Sequence, residues 1–335
     1  MNTKIIRINA ANIDEVAIEE AAKIIKNGGL VAFPTETVYG LGANAFDEEA
    51  VKKIFIAKGR PQDNPLIVHI SSLEEVPKLA KDIPELFYTL ANKFMPGPIT
   101  IVLNKSEAVP DIVTAGGKTV GIRMPSNPIA NKLISMSCPI AAPSANKSKH
   151  ISPTKAEHVY DDLKGEVPLI LDGGECEYGI ESTVLDLTTD TPTVLRPGAV
   201  TVEMLQEVIG DVYVNSKVIK IAKSPGMKYT HYAPKCSCVV AITPESARKC
   251  YEDKLNEGFN PVLVYRDIYR DVIHPSEYNF ISLGITIEQY EHNIYAALRE
   301  AEEKYDFIIV ENLKEEGLGA SVMNRVNKAS SNNKV

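Results

Sequence analysis

Residues 12–27, NIDEVAIEEAAKIIKN, set Val16, Ile18, Ala21, Ala22, Ile24 and Ile25 at helical spacing among charged residues. Asn12 or Asp14 can cap the start of this helix, and Gly28-Gly29 stops it. The next apolar run, LVAF (30–33), is strand-length and passes into the polar, glycine-rich PTETVYGLG (34–42). A loop built only to reverse the chain has no use for so many hydroxyls. The stretch is either a decorated turn or the floor of a binding site.

Helical spacing returns over Glu48 to Lys58, with Val51, Ile54 and Phe55 on one face. Seven short apolar runs then read as strands bounded by Pro, Gly or Asn: PLIVHI (65–70), PITIVLN (98–104), TVGIRMP (119–125), PIAAPSA (139–145), VPLILDGG (167–174), STVLDLT (182–188) and PTVLRPG (192–198). Helices such as Ile83 to Lys93 and Ile129 to Met136 fill gaps between them. The pattern predicts an α/β domain over residues 1–210, a mixed sheet with helices packed on it. Residues 211–235 carry no sustained period but do carry Pro225, Gly226 and Pro234, and read as a linker. Beyond it CVVAI, PVLVY, NFISLG and FIIVEN alternate with helical segments, including Gln289 to Lys304 and Ser321 to Lys328. That alternation predicts a smaller, doubly wound, Rossmann-like domain over 236–335.

The chain has 335 residues, 44% hydrophobic and 24% charged, in the range of ordinary globular proteins. No apolar run approaches the roughly 18 residues needed to span a bilayer, and the N-terminal residues lack a secretory apolar core. A cytoplasmic protein with no membrane association is expected. The net charge of −8 argues against a surface that coats nucleic acid, while leaving room for a local basic pocket. Cys138, Cys176, Cys236, Cys238 and Cys250 form no zinc spacing and read as free thiols.

Several strand ends carry groups that a core has no use for. KGRPQDNP (58–65) ends a helix in Lys58 and Arg60, followed by Asn64; cations at a helix C-terminus are one reading. APSAN (142–146) ends a strand in Ser144 and Asn146, and GIESTVLDL (179–187) opens one with Glu181, Ser182 and Thr183. Arg123 in GIRMP and Arg196 in VLRPG each need an anionic partner, an internal carboxylate or a bound anion. His69 in LIVHI fits a satisfied core residue as well as a ligand contact, and SPGMKYTHYAP (224–234) is too rich in donors and aromatics for a spacer. Neither a GxxxxGK[ST] loop nor a GxGxxG after the first strand is present. The residues alone therefore predict a hydroxyl- and cation-rich pocket for an anionic small molecule such as a nucleotide.

Taken in order, PTETVYGLG, KGRP with NPL, GIRMP, APSAN, ESTVLD, VLRPG and SPGMKYTHYAP closely resemble the long, two-domain Sua5 branch of the YrdC-like L-threonylcarbamoyladenylate synthases. The resemblance runs from about residue 12 to 235; GLGASVMNRVNKAS (317–330) extends it more loosely into the C-terminal domain. It implies a twisted sheet with a concave, positively lined cavity and the condensation of L-threonine, bicarbonate or CO2, and ATP into threonylcarbamoyl-adenylate and pyrophosphate. Mg²⁺ would arrive with ATP, with no protein side chain assigned to it. The product would feed t6A modification of tRNA through a separate transferase, with direct tRNA binding weak or absent. The family's K-x-R and S-x-N signatures fall on Lys58, Arg60, Ser144 and Asn146, with Lys58 and Arg60 as the catalytic cations. Thr35 or Thr37, His69, Arg123, Ala142 and Ser182 map to the threonine side. Arg60, Asn64, Thr119, Ser144, Asn146, Ser152 and Arg196 map to the ATP side, and Tyr232 in the linker would close over the nucleotide. One departure is Lys149, where relatives carry glycine in the loop leading to Ser152; a differently shaped loop is expected, because lysine takes positive φ less cheaply.

Overall fold

The computed structural model describes residues 2–214 and 232–335, so most of the expected linker, with Lys228, Tyr229 and His231, lies outside the described residues. Contacts divide the chain into two compact units: residues 1–148, 153–177 and 181–228, and residues 149–152, 178–180 and 229–335.

The first unit runs β1 (Lys4–Arg7), α1 (Glu15–Lys26), β2 (Val31–Phe33), β3 (Gly40–Asn44), α2 (Glu48–Lys58), β4 (Ile67–His69), α3 (Val76–Leu79), β5 (Ala80–Lys81), α4 (Glu85–Phe94), β6 (Ile99–Lys105), β7 (Thr119–Arg123), α5 (Pro128–Met136), β8 (Ile140–Ala142), α6 (Ala156–Leu163), β9 (Leu169–Asp172), β10 (Thr183–Asp186), β11 (Thr193–Arg196), α7 (Val202–Ile209) and β12 (Tyr213–Val214). Its strands form one mixed sheet in the order β1-β9-β2-β3-β8-β4-β7-β6-β10-β11-β12, with β5 beside β6. Asp14, not Asn12, caps α1, accepting from the amides of Val16 and Ala17. Of the expected apolar face, Val16 is exposed, and Ala17 joins Ile18, Ala21, Ala22 and Ile25 in the core. β3 is a central strand that periodicity misses, since GLGAN carries little apolar mass. Gly42 is there because a Cβ would stand 2.6 Å from Ile140 Cγ2 and 2.8 Å from Phe33 Cε1. This glycine makes room for the core, not for a ligand.

Strand alternation sorts the sheet into two chemically different faces. Ile99, Ile101 and Leu103 of β6, Val120 and Ile122 of β7 and Val68 of β4 join a core with Val51, Ile54 and Phe55 of α2 and Phe87 and Leu90 of α4. A second core packs α1 and α5 onto β2, β8 and β9. The intervening positions are largely polar or small. His69 pairs in register with Arg123, Gly121 with Val102, Thr119 with Asn104, and Val184 with both Thr100 and Arg196. One face of β4, β7, β6, β10 and β11 thus carries His69, Arg123, Thr100 and Arg196 together.

The second unit holds β13 (Ser237–Ala241), α8 (Pro244–Asn256), β14 (Pro261–Tyr265), α9 (Arg270–Ile273), β15 (Phe280–Ser282), α10 (Ile287–Lys304), β16 (Phe307–Glu311) and α11 (Gly317–Ala329). All four strands are parallel, in the order β13-β16-β14-β15. Each is apolar on both faces, as a sheet covered on both sides requires. Glu311 at the end of β16 pairs with Arg266, and the Tyr290 hydroxyl donates to the Glu311 carbonyl at 2.7 Å. α11 begins four residues before the expected start at Ser321, because Gly317 and Gly319 hide its first turn from a propensity reading. Residues 149–152 and 178–180 belong to this unit: Arg299 of α10 donates to the Ile151 carbonyl, and a Cβ on Gly179 would meet the His292 carbonyl at 2.3 Å. No helix among the described residues is long and apolar enough to cross a membrane. All five cysteines are free.

Candidate active site

The loop after β2 is organised by one hydroxyl. Thr35 Oγ1 accepts from the amides of Thr37 and Val38, both at 3.2 Å, donates to the Val38 carbonyl at 2.7 Å, and lies 2.9 Å from Thr37 Oγ1. With its single proton on Val38, Thr35 accepts from Thr37, so its bonding capacity is spent on the turn itself. Thr37 is also fully buried and keeps its oxygen lone pairs free to accept. The same loop aims Glu36 at Arg123 of β7, with Oε1 and Nη2 2.7 Å apart and both side chains almost wholly buried. The contact is an ion pair by distance but too bent to be a hydrogen bond: both Glu36 oxygens and Arg123 Nε and Nη2 are left without hydrogen-bond partners. Of the two partners foreseen for Arg123, the internal carboxylate is present, with donors to spare.

His69 sits beside Arg123 in the register, and its Nδ1 is buried without a partner. Desolvation, aided by the Arg123 charge, pushes its pKa down to about 3, so the imidazole is neutral at physiological pH. Across the face, Arg196 donates from Nε to the Ser182 carbonyl at 3.0 Å and from Nη2 to the Ser182 hydroxyl at 3.1 Å. Ser182 Oγ in turn lies 2.8 Å from Thr100 Oγ1. The residue expected on the threonine side and the one expected on the ATP side therefore touch. Thr119 shares a face with Arg123 but stands four residues away at the opposite end of β7, about 13 Å at ~3.3 Å per residue. Ala142, buried in β8, pairs with Ile67.

The K-x-R and S-x-N motifs meet through one ammonium. α2 ends at Gly59 in the left-handed region (φ 61°), which directs Lys58 out of the final turn. Lys58 Nζ donates to the Ser144 carbonyl at 2.6 Å, to the Asn146 carbonyl, and to Asn146 Oδ1 at 3.4 Å. The Arg60 guanidinium donates to the carbonyls of Asn64 and Pro65 at 3.0 and 3.1 Å and lies 5.8 Å from the Phe55 ring centroid. Desolvation lowers its pKa to about 10, and it remains charged at neutral pH. Asn64 is fully buried, and neither atom of its amide has a partner. A buried amide with no partner is costly, which sets Asn64 apart as a group with both its donor and its acceptor open.

Ser152 and Tyr232 belong to the second unit. Ser152 is buried, and Tyr232 stacks on Tyr295 of α10 with centroids 5.4 Å apart. Lys149 adopts φ 74°, in the left-handed region that favours glycine. Glu36 and Thr100 were missed in the sequence. The alternation of PITIVLN placed Thr100 on the polar face, whereas nothing local distinguished Glu36 from a turn residue. Among the described residues no group of three or more His, Cys, Asp or Glu is placed to hold a metal ion.

Comparison with known proteins agrees with this geometry. The Sua5/YciO/YrdC family, described as telomere recombination, matches residues 23–198, and the threonylcarbamoyl-AMP synthase C-terminal domain matches 200–331. The chain is 48% identical over 331 residues to a threonylcarbamoyl-AMP synthase of Pyrococcus abyssi, covering 95% of each chain. It is 44% identical to the Bacillus subtilis protein of that name, covering 93% of this chain and 92% of the relative. The crystal structure of P. abyssi Sua5 complexed with L-threonine superposes with a TM-score of 0.93 at 47% identity, over 99% of both chains. A strand-end polar face of this kind, two matching family domains and near full-length relatives together place the chain in the Sua5/YciO/YrdC family, in its two-domain threonylcarbamoyl-AMP synthase branch.

Proposed function

We infer that the protein is a threonylcarbamoyl-AMP synthase, a nucleotidyltransferase that joins L-threonine, bicarbonate or CO2 and ATP with release of pyrophosphate. The observation that carries the reading is that Arg123, Glu36, His69 and Asn64, four of the five residues of the first unit with buried polar atoms lacking a hydrogen-bond partner, are ones that strand ends and loops of the polar face supply. They sit in a chain whose near full-length relatives bear that name.

The threonine amine, once its ammonium has given up a proton, adds CO2 to form a carbamate with loss of a second proton, and a carbamate oxygen then attacks the α-phosphorus as pyrophosphate leaves. Such a transfer asks the protein mainly for positioning and charge stabilisation. Arg123 would hold the amino-acid carboxylate, with neutral His69 and the Thr37 hydroxyl beside it. Arg60 and Arg196 supply fixed positive charge for the phosphates, and Asn64 an amide for the nucleotide. Lys58 holds the Ser144–Asn146 loop against the end of α2. Mg²⁺ would enter bound to the phosphates of ATP. The enzyme would act in the cytoplasm and hand its labile product to a tRNA threonylcarbamoyl transferase.

The test is pyrophosphate release in the presence of ATP, Mg²⁺, bicarbonate and threonine. Release is expected only when both bicarbonate and threonine are present; release without either one refutes the assignment. RNA binding indifferent to ATP and threonine would instead favour an RNA-binding module.

A further inference from the structure

We propose that Glu36 makes the amino-acid pocket selective for a zwitterion, by receiving the substrate's α-ammonium while Arg123 receives its carboxylate. This rests on the reading of the site as a threonine site, and assigns within it the residue that distinguishes an amino acid from a plain carboxylic acid.

A buried arginine alone would attract any small carboxylate. Here it is balanced by a carboxylate 2.7 Å away, and both side chains are nearly inaccessible to solvent. Two titratable groups coupled to the pair add no charge at neutral pH. His69 is held neutral by burial, and desolvation together with the Glu36 charge pushes the Cys176 thiol well above its usual range. The Glu36–Arg123 pair is therefore close to electrically neutral, with its positive and negative ends side by side. The ion pair also leaves hydrogen-bonding capacity unused at both ends: both Glu36 oxygens, and Nε and Nη2 of Arg123. A zwitterion supplies what is missing at each end, donors for Glu36 and a bidentate acceptor for Arg123. An anion that lacks the ammonium would satisfy Arg123 but face Glu36 with like charge in a poorly solvated site. Thr37, adjacent in the loop and free to accept, stands ready for a second proton of the same ammonium.

The test compares L-threonine with 2,3-dihydroxybutanoate, which has a hydroxyl in place of the α-ammonium, by calorimetric titration of the full-length protein. Wild type is expected to prefer threonine by at least 100-fold, two charge-assisted contacts being at stake. In Glu36→Gln, threonine affinity should fall about 10- to 100-fold while dihydroxybutanoate affinity holds or rises. Glu36→Asp, which keeps the charge, should keep the preference. Equal weakening of both ligands in Glu36→Gln would reduce Glu36 to a support for Arg123 and overturn the proposal. So would a wild-type preference below about threefold, which needs no variant to fold. Wild-type protein that binds neither ligand would instead overturn the functional reading itself.

Discussion

Replacing Lys58 with methionine separates two roles for the lysine of the K-x-R motif. Its ammonium donates to acceptors that include the carbonyls of Ser144 and Asn146 and the Asn146 side chain. Methionine matches the length of the stem but donates nothing. Each buried acceptor left unsatisfied costs about 1–3 kcal/mol. The longest of the three contacts, at 3.4 Å, adds little. Two lost partners therefore predict a destabilisation of about 2–6 kcal/mol. For a domain of about 200 residues this lowers Tm by roughly 4–24 °C. Calorimetry of Lys58→Met beside wild type measures this directly, and nucleotide affinity should fall with it as the Ser144–Asn146 loop loosens. A variant with unchanged Tm and abolished pyrophosphate release would refute the strut argument. The ammonium would then act on the substrate alone.

Arg60→Ala should cut pyrophosphate release about 10- to 100-fold through loss of one charge-assisted contact, with the circular dichroism spectrum retained; near-normal turnover would remove Arg60 from the machinery. The depressed pKa of His69 ties stability to pH. The unfolded imidazole takes up a proton near 6.5 and the folded one only near 3, so stability is full above 6.5 and declines as pH falls through that window. At pH 5 the loss is about 2 kcal/mol, and urea midpoints of wild type and His69→Gln should converge as pH drops from 7 to 5; parallel profiles would contradict the assignment. Lys149→Gly removes a left-handed lysine that costs about 1–2 kcal/mol but adds about 0.5–1 kcal/mol of backbone entropy, so thermal melting should show a gain of no more than about 1.5 kcal/mol, and a loss would show that the lysine side chain stabilises the loop.

Much of the frame was legible because period and punctuation were strong. α2 matches its expected bounds, and every apolar run bounded by Pro, Gly or Asn between residues 65 and 198 contains a strand. β1, α6 and α7 were not foreseen, and neither was β3, whose glycines and alanines give alternation nothing to count. The site was legible in part for a related reason. Hydroxyls and cations stood at strand ends, and the K-x-R, S-x-N and GIRMP stretches carried a family resemblance that the relatives support.

Sequence by itself determined the class of the protein, the strand ends that carry its chemistry and the family they belong to, since these depend on local pattern and ordered motifs. Only the tertiary structure decided which of those groups are spent and which remain open. Thr35 and Thr37 are two residues apart and alike in chemistry, yet the fold commits Thr35 to its own turn and leaves Thr37 free to accept. Glu36, inconspicuous in PTETVYGLG, became the buried partner of an arginine 87 positions away. Hydrogen bonds and burial are set by neighbours in space, and no local pattern in the chain encodes those neighbours.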